Sequence, residues 1–218
     1  MKYYPVSLKV EGRDCLVIGG GKVAYRKVLD LLRSGAHVRV VAPDVTDAIG
    51  RLGQKGKIKL VKRPYRRSDL GRACLVYAAT DEGSTNKKIF YDAQKRKMLV
   101  NVVDAPDYCD FIMPAVLRKG RVAIAVSTDG SAPYASVLIK KRIDKFIGPE
   151  YIKLINSIID MRTRLLEMKR KGVHVNVEQA LDRLSIGKLR RYIRAGNKKA
   201  MKHYRDDFVL SITKRMSR

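Results

Sequence analysis

The apolar positions of this chain keep two periods, and the pattern changes along its length. In roughly the first half, short apolar runs alternate with stretches whose apolar positions recur every three or four residues, as strands alternating with helices do. Cys15, Leu16, Val17 and Ile18 are continuously apolar, the run breaks at Gly19-Gly20-Gly21, and Val23, Val28, Leu31 and Leu32 follow at helical spacing. This predicts a buried strand, a tight turn and a helix over 23–33 that stops at Ser34-Gly35, where glycine suits a C-terminal cap. A valine-rich strand over 37–42 completes one βαβ unit of about 30 residues. The alternation continues with helix 45–54, strand 57–61, strand 74–80, helix 86–97 capped by Asp81 or Ser84, and strand 99–103. Ahead of them Val6, Leu8 and Val10 alternate and predict a short leading strand. Such a succession builds an α/β fold, a parallel sheet covered on both faces.

After Asp104 the pattern changes. Ala105-Pro106-Asp107 reads as a turn, 111–117 is apolar, Lys119-Gly120 reads as a hairpin loop and 122–127 alternates, which predicts an antiparallel pair. A polar turn over 128–133 leads into a helix ending near Phe146. This middle piece lies outside the nucleotide domain and offers a place for two chains to meet. From Gly148-Pro149 onward the reading is helical, with Ile152, Ile155, Ile158, Ile159, Leu165 and Leu166 as one stripe and shorter stripes over 177–184 and 189–193. Asn176, or Val177 with Glu178, starts the second of these helices.

The glycine break carries the chemistry. Gly19, Gly21 and Ala24 fit the spacing in which the first small residue makes the turn, the second admits a pyrophosphate, and the third lets helix pack on strand. The N–H groups at the helix start then face the phosphates, with Gly20, Lys22 and Val23 touching the cofactor through backbone groups. An acidic residue at the end of the second strand bonds the adenosine ribose in such folds. Here Pro43-Asp44 follows that strand, so Asp44 is either the ribose ligand or the cap of the next helix. A carboxylate there favours NAD over NADP, while Arg39 nearby leaves the choice open. Ligands of parallel sheets sit beyond the carboxyl ends of the strands, which adds the segments around Thr80 and Asp104 to the site.

Composition changes the picture in one respect. Lys+Arg number 47 against 21 Asp+Glu, a net charge of +26 that attracts polyanions without naming one. Nucleic acid is among them, but no zinc-finger spacing or RNP-like aromatic motif is present, so a nucleic-acid partner is not expected. The three cysteines are far apart and the three histidines scattered, which suggests neither a disulfide framework nor a metal site. No apolar run is long enough for a membrane span, and the N-terminus lacks the apolar core of a signal peptide, so a cytoplasmic protein is expected.

Five segments in one order resemble a known family: Cys15 through Lys27, Ala78-Ala79-Thr80-Asp81, Asn101 through Pro106, Phe111 through Ala115, and Ala125 through Pro133. They are similar to the successive motifs of the precorrin-2 dehydrogenases, either stand-alone enzymes or the N-terminal part of siroheme synthases. The resemblance covers roughly residues 1–145. It implies a Rossmann-type NAD-binding domain over 1–110, a small α+β dimerisation region over 111–148 and a helical C-terminal region over 149–218, with an active cleft shared by a homodimer. It further implies oxidation of precorrin-2 to sirohydrochlorin. Some members also insert ferrous iron, whereas others only dehydrogenate, and the tail beyond 150 matches less clearly.

The resemblance assigns roles residue by residue. Asp104 matches the family's catalytic aspartate and is expected as general base, although Asp-Ala-Pro is also ordinary turn chemistry. Ser127 and Thr128 occupy the family's serine-containing loop and either bond substrate carboxylates or close a turn. Thr80 bounds the nicotinamide-ribose side. The acetate and propionate arms of precorrin-2 give part of the basic excess a reason, since Arg and Lys hold carboxylates in charged hydrogen bonds. The rival readings are a nucleotide-sensing domain without catalysis, in which Asp104 would be idle, and a basic nucleic-acid-binding protein.

Overall fold

The structure, a computed structural model, describes residues 2–214 and divides into two compact units with the boundary between Met113 and Pro114. In the first unit, β1 (Asp14–Ile18), β2 (His37–Val41), β3 (Lys59–Val61), β4 (Leu75–Ala78) and β5 (Leu99–Val102) form one parallel sheet in the order β3-β2-β1-β4-β5. The helices are α1 (Lys22–Arg33), α2 (Asp47–Gln54) and α3 (Gly83–Gln94). Strand order reverses at β1, and in open sheets of this kind ligands sit beyond the carboxyl ends of the strands at that point.

Side-chain parity divides the core in two. Cys15, Val17, Val38, Val40, Leu75 and Tyr77 pack against Ala24, Val28 and Leu31 of α1 and Ile49 of α2. Leu16, Ile18, Val41, Val76, Ala78, Val100 and Val102 face the other way, onto Ile89 and Ala93 of α3 and Leu70 of a short 3-10 turn. With both faces covered, β1 has to be apolar at every core position, which is why it reads as a run rather than an alternation. Each fully hidden side chain such as Leu16 or Ile18 contributes about 1.5–3 kcal/mol. Behind β3 the nearly buried Asp69 accepts two hydrogen bonds from the Arg63 guanidinium, at 2.8 and 2.6 Å, and one from the Arg66 N–H at 2.8 Å.

Three expectations are corrected here. Residues 3–13 form no strand: Tyr4 and Val6 are 87% and 62% exposed, and Val10 alone of the alternating set reaches the core. The sheet ends at β3 and β5, so alternation without a partner strand leaves this segment without regular secondary structure. The helix expected over 86–97 begins at Gly83, and its cap is Glu82, whose carboxylate accepts from the Ser84 and Thr85 hydroxyls at 2.8 and 2.6 Å. Neither Asp81 nor Ser84 caps it. Likewise Thr46, not Asp44, is the cap residue of α2.

The second unit holds a hairpin and five helices among the described residues. Strands β6 (Ala115–Lys119) and β7 (Val122–Val126) pair antiparallel across the two-residue turn Gly120-Arg121, one position later than the expected Lys119-Gly120. Gly120 takes a φ of +57°, which glycine reaches without a Cβ penalty. Helices α4 (Pro133–Phe146), α5 (Pro149–Arg170), α6 (Val177–Asp182), α7 (Ile186–Arg194) and α8 (Lys198–Lys214) follow. Asn176 caps α6 by accepting from the Gln179 N–H at 3.1 Å. The core joins Leu154, Met161 and Leu165 of α5 to Leu189 and Ile193 of α7 and to Phe208, Val209 and Ile212 of α8. The buried stripe of α5 thus runs through Leu154, Ser157, Met161 and Leu165 rather than through its isoleucines, Ile158 being only half-buried. The segments expected as separate regions, 111–148 and 149–218, fall largely within this one unit.

Candidate functional site

At the end of β1 the backbone turns through Gly19 with a φ of +125°, a conformation that side chains rarely tolerate. A Cβ on Gly19 would lie 2.1 Å from the Ala79 carbonyl oxygen, and one on Gly20 would lie 1.9 Å from that of Asp44. The loops after β4 and β2 therefore press directly on this corner. Gly21 differs. Its φ is −80°, a Cβ there would meet nothing within 4 Å, and it is the N-cap of α1 without a side-chain cap.

The first intrahelical bond of α1 runs from the Tyr25 N–H to the Gly21 oxygen at 3.0 Å, so the N–H groups of Lys22, Val23 and Ala24 have no helical acceptor. No carboxylate occupies the first turn. Open space, orphan donors and the positive end of the helix together form an anion cradle. Ala24 is fully buried in the core beneath it, as the third small residue of the motif requires. The Thr46 N–H donates to the Gly20 oxygen at 2.9 Å, while the Thr46 Oγ1 is buried without any hydrogen-bond partner. An orphaned hydroxyl beside an open cradle fits a phosphate-bearing cofactor.

Pro43 and Asp44 are exposed at the exit of β2. The Arg39 guanidinium, by contrast, donates to the Asp69 carbonyl, which commits it to the loop behind β3. Thr80 is half-buried at the exit of β4 and bound to Asn86, its hydroxyl donating to Asn86 Oδ1 at 2.8 Å and its carbonyl accepting from Asn86 Nδ2 at 2.9 Å. Asn86, buried in the first turns of α3, thus fixes the β4 exit.

Asp104 stands one strand further on, exposed in the turn after β5 with a φ of +57°. Aspartate is one of the few side chains that tolerate this left-handed region. The turn is pinned on both sides of it. The Val103 N–H donates to the Ala78 oxygen at 2.9 Å, and the Cys109 sulfur accepts from the Val102 N–H and from Asn101 Nδ2, both at 3.3 Å. The same thiol faces the Val102 and Ala105 carbonyls at 3.1 and 3.4 Å as a donor. Burial pushes its pKa up, which keeps the proton on sulfur and the donor role intact. Cys109 and Asn86 were not singled out by the sequence. Their roles depend on contacts eight or fewer residues away that no spacing rule encodes.

In the second unit Ser127 and Thr128 form the turn after β7. The Ser127 oxygen accepts from the Asp129 N–H at 3.2 Å, and Thr128 Oγ1 accepts from the Ala132 N–H at 3.2 Å and shares a 3.0 Å bond with Ser136 Oγ. Thr128 is occupied by turn closure, while Ser127 remains exposed. Cys15 and Cys74 lie with sulfurs 3.7 Å apart, and burial, followed by the neighbouring thiol, pushes Cys15 up to about 12, so it packs as an inert apolar group. Among the described residues no group of three or more His, Cys, Asp or Glu could hold a metal ion, and no described helix is long and apolar enough to cross a membrane.

The chain is similar to several known proteins. The chain is 36% identical over 165 residues to a siroheme synthase of Nitrosococcus oceani, covering 76% of this chain and 35% of that one. It is 39% identical over 163 residues to a siroheme synthase of Nitrosomonas eutropha, covering 74% and 34%. The chain therefore spans about a third of the length of these curated relatives. A solved structure of SirC, a precorrin-2 dehydrogenase, superposes with a TM-score of 0.71 at 25% identity, over 97% of this chain and 100% of that one. The family model described as "Putative NAD(P)-binding" matches residues 6–115, the span that contains the glycine corner and Asp104. The chain belongs to this family, and its cofactor is a nicotinamide dinucleotide.

Proposed function

We propose that the chain oxidises precorrin-2 to sirohydrochlorin with NAD as the hydride acceptor, a step of siroheme biosynthesis. The observation that carries this reading is an open phosphate cradle at Gly21 and an exposed carboxylate at Asp104 on the carboxyl edge of one sheet. The likeness to siroheme synthases and to SirC supports it.

A bound nicotinamide supplies the hydride acceptor. The remaining requirement is a group for the proton that leaves when the macrocycle loses a hydride, and Asp104, in the turn whose flanking residues Cys109 binds, is the base at that position. Gly19 and Gly20 shape the corner, Gly21, Lys22 and Val23 hold the pyrophosphate, Pro43 and Asp44 border the adenosine ribose, and Thr80, clamped by Asn86, borders the nicotinamide side. Asp44 repels a 2′-phosphate and Arg39 is committed elsewhere, which favours NAD over NADP. Ser127, whose hydroxyl proton is free to donate, binds a substrate carboxylate, and Thr128 orders its loop. A homodimer is supported by the exposed Tyr134, Leu138, Ile139 and Phe146 of α4, at 74%, 43%, 44% and 81% exposure. An NAD-linked reaction of this kind belongs in the cytoplasm, where the cofactor pool is.

Anaerobic incubation with precorrin-2 and either NAD or NADP tests this reading. Sirohydrochlorin and reduced cofactor should form together, faster with NAD. Repeating it with ferrous iron shows whether the chain also inserts metal into its product. Absence of sirohydrochlorin with both cofactors contradicts the proposal.

A further inference from the structure

The second turn of α1 carries a cation that the cofactor cradle does not use. Lys27 is half-buried, and its ammonium nitrogen lies 5.4 Å from the ring centroid of Tyr77 on β4. That ring is itself fixed: Tyr77 is 3% exposed, its hydroxyl donates to Met113 Sδ at 3.2 Å, and Phe111 meets it edge-on at 5.5 Å. Lys27 makes no ion pair and no hydrogen bond with any described residue. Its charge nevertheless senses Asp104 in the segment after β5. A partly desolvated ammonium held over an aromatic face, with no carboxylate in contact, is a cation with coordination to spare.

We propose that Lys27 is a substrate anchor, which takes one carboxylate arm of the tetrapyrrole and sets the macrocycle beside Asp104. The inference rests on the dehydrogenase reading and adds a residue and a specificity to it. The alternative, a structural ion pair, lacks a partner. A purely packing role over Tyr77 would need only the aliphatic stem.

The surroundings predict a pH signature. The groups that face Lys27 are Arg26 and Asp30 on its own helix, Tyr77 on β4, and Asp104 and Cys109 after β5. Burial, followed by Arg26, lowers the Lys27 pKa, and Asp30 and Asp104 oppose them. An arriving carboxylate favours the charged form, so binding should weaken as pH rises through the depressed lysine value.

The test compares wild type, Lys27→Met and Lys27→Arg, by precorrin-2 turnover and by quenching of uroporphyrin fluorescence, uroporphyrin being a macrocycle rich in carboxylates. Lys27→Met keeps the stem over Tyr77 and should raise KM for precorrin-2 and Kd for uroporphyrin roughly tenfold to a hundredfold, the effect of one charged hydrogen bond. Its NAD affinity should stay unchanged. Lys27→Arg should keep most of the affinity and lose the alkaline limb of the KM profile, because arginine stays charged. Unchanged KM and Kd in Lys27→Met, or equal losses in Met and Arg variants, overturn the assignment. A wild type that binds uroporphyrin through Lys27 but leaves precorrin-2 unoxidised refutes the dehydrogenase reading instead.

Discussion

Replacing Gly21 by aspartate should move folding and cofactor binding in opposite directions. The position has a φ of −80° and a ψ of −174°, ordinary for an N-cap, and a side chain there meets nothing within 4 Å. Aspartate is a better cap than glycine by a few tenths of a kcal/mol, and its charge at the start of α1 adds about 0.3–1 kcal/mol. The melting temperature should therefore rise by about 1–4 °C. The same carboxylate would stand about 4 Å from a pyrophosphate charge, a repulsion between about 1 kcal/mol at the dielectric of water and about 4 kcal/mol at that of a protein surface. NAD affinity should fall by roughly fivefold to a thousandfold. Calorimetric titration with NAD and a thermal melt on the same preparation provide both numbers. Gly21→Ala, which fills the space without charge, should weaken binding less. If Gly21→Asp is as stable as expected and binds NAD within twofold of wild type, the pyrophosphate does not lie at this corner.

Other outcomes follow from the same geometry. Gly20→Ala, whose Cβ would overlap the Asp44 carbonyl at 1.9 Å, should lower stability by about 1–3 kcal/mol or more, visible as a lower denaturation midpoint. Asp104→Asn should abolish dehydrogenation while NAD still binds and circular dichroism is unchanged, because asparagine also accepts a φ near +57°. Asp44→Asn should narrow the preference for NAD over NADP, measured as the ratio of the two kcat/KM values. The hydrogen bonds from Arg63, then that from the Arg66 N–H, hold the Asp69 carboxyl below its usual value against the opposing effect of burial. A depressed folded pKa stabilises above the unfolded value of about 3.9 and stops doing so as pH falls through the folded one. Asp69→Asn should therefore be less stable at neutral pH and show a shallower loss of stability in acid.

The sheet and its corner were legible because they are local. A run buried on both faces, three glycines and a helical stripe are all written within residues 15–33, and the structure places them in one βαβ unit. What failed depended on partners. Val6, Leu8 and Val10 alternate as a strand does, yet no neighbouring strand pairs with them. Of the two roles open to Asp44, ribose ligand or cap, the cap falls away, because the backbone passes it close to Gly20 and Thr46 stands at the start of α2. The hairpin turn was off by one residue because Gly120 takes its first position, where a positive φ is needed, rather than its second. Lys27 is unremarkable in sequence, one basic residue among 47, and only the fold sets it over Tyr77 and beside the Asp104 turn.

The most direct test of the account is a single anaerobic time course with precorrin-2 and NAD, following reduced cofactor and sirohydrochlorin together in wild type and Asp104→Asn. Wild type should form the two products in equal amounts, and the variant should bind NAD but form neither. Equal rates in the two proteins would contradict the role of Asp104, and a wild type that binds NAD without reducing it would contradict the activity itself.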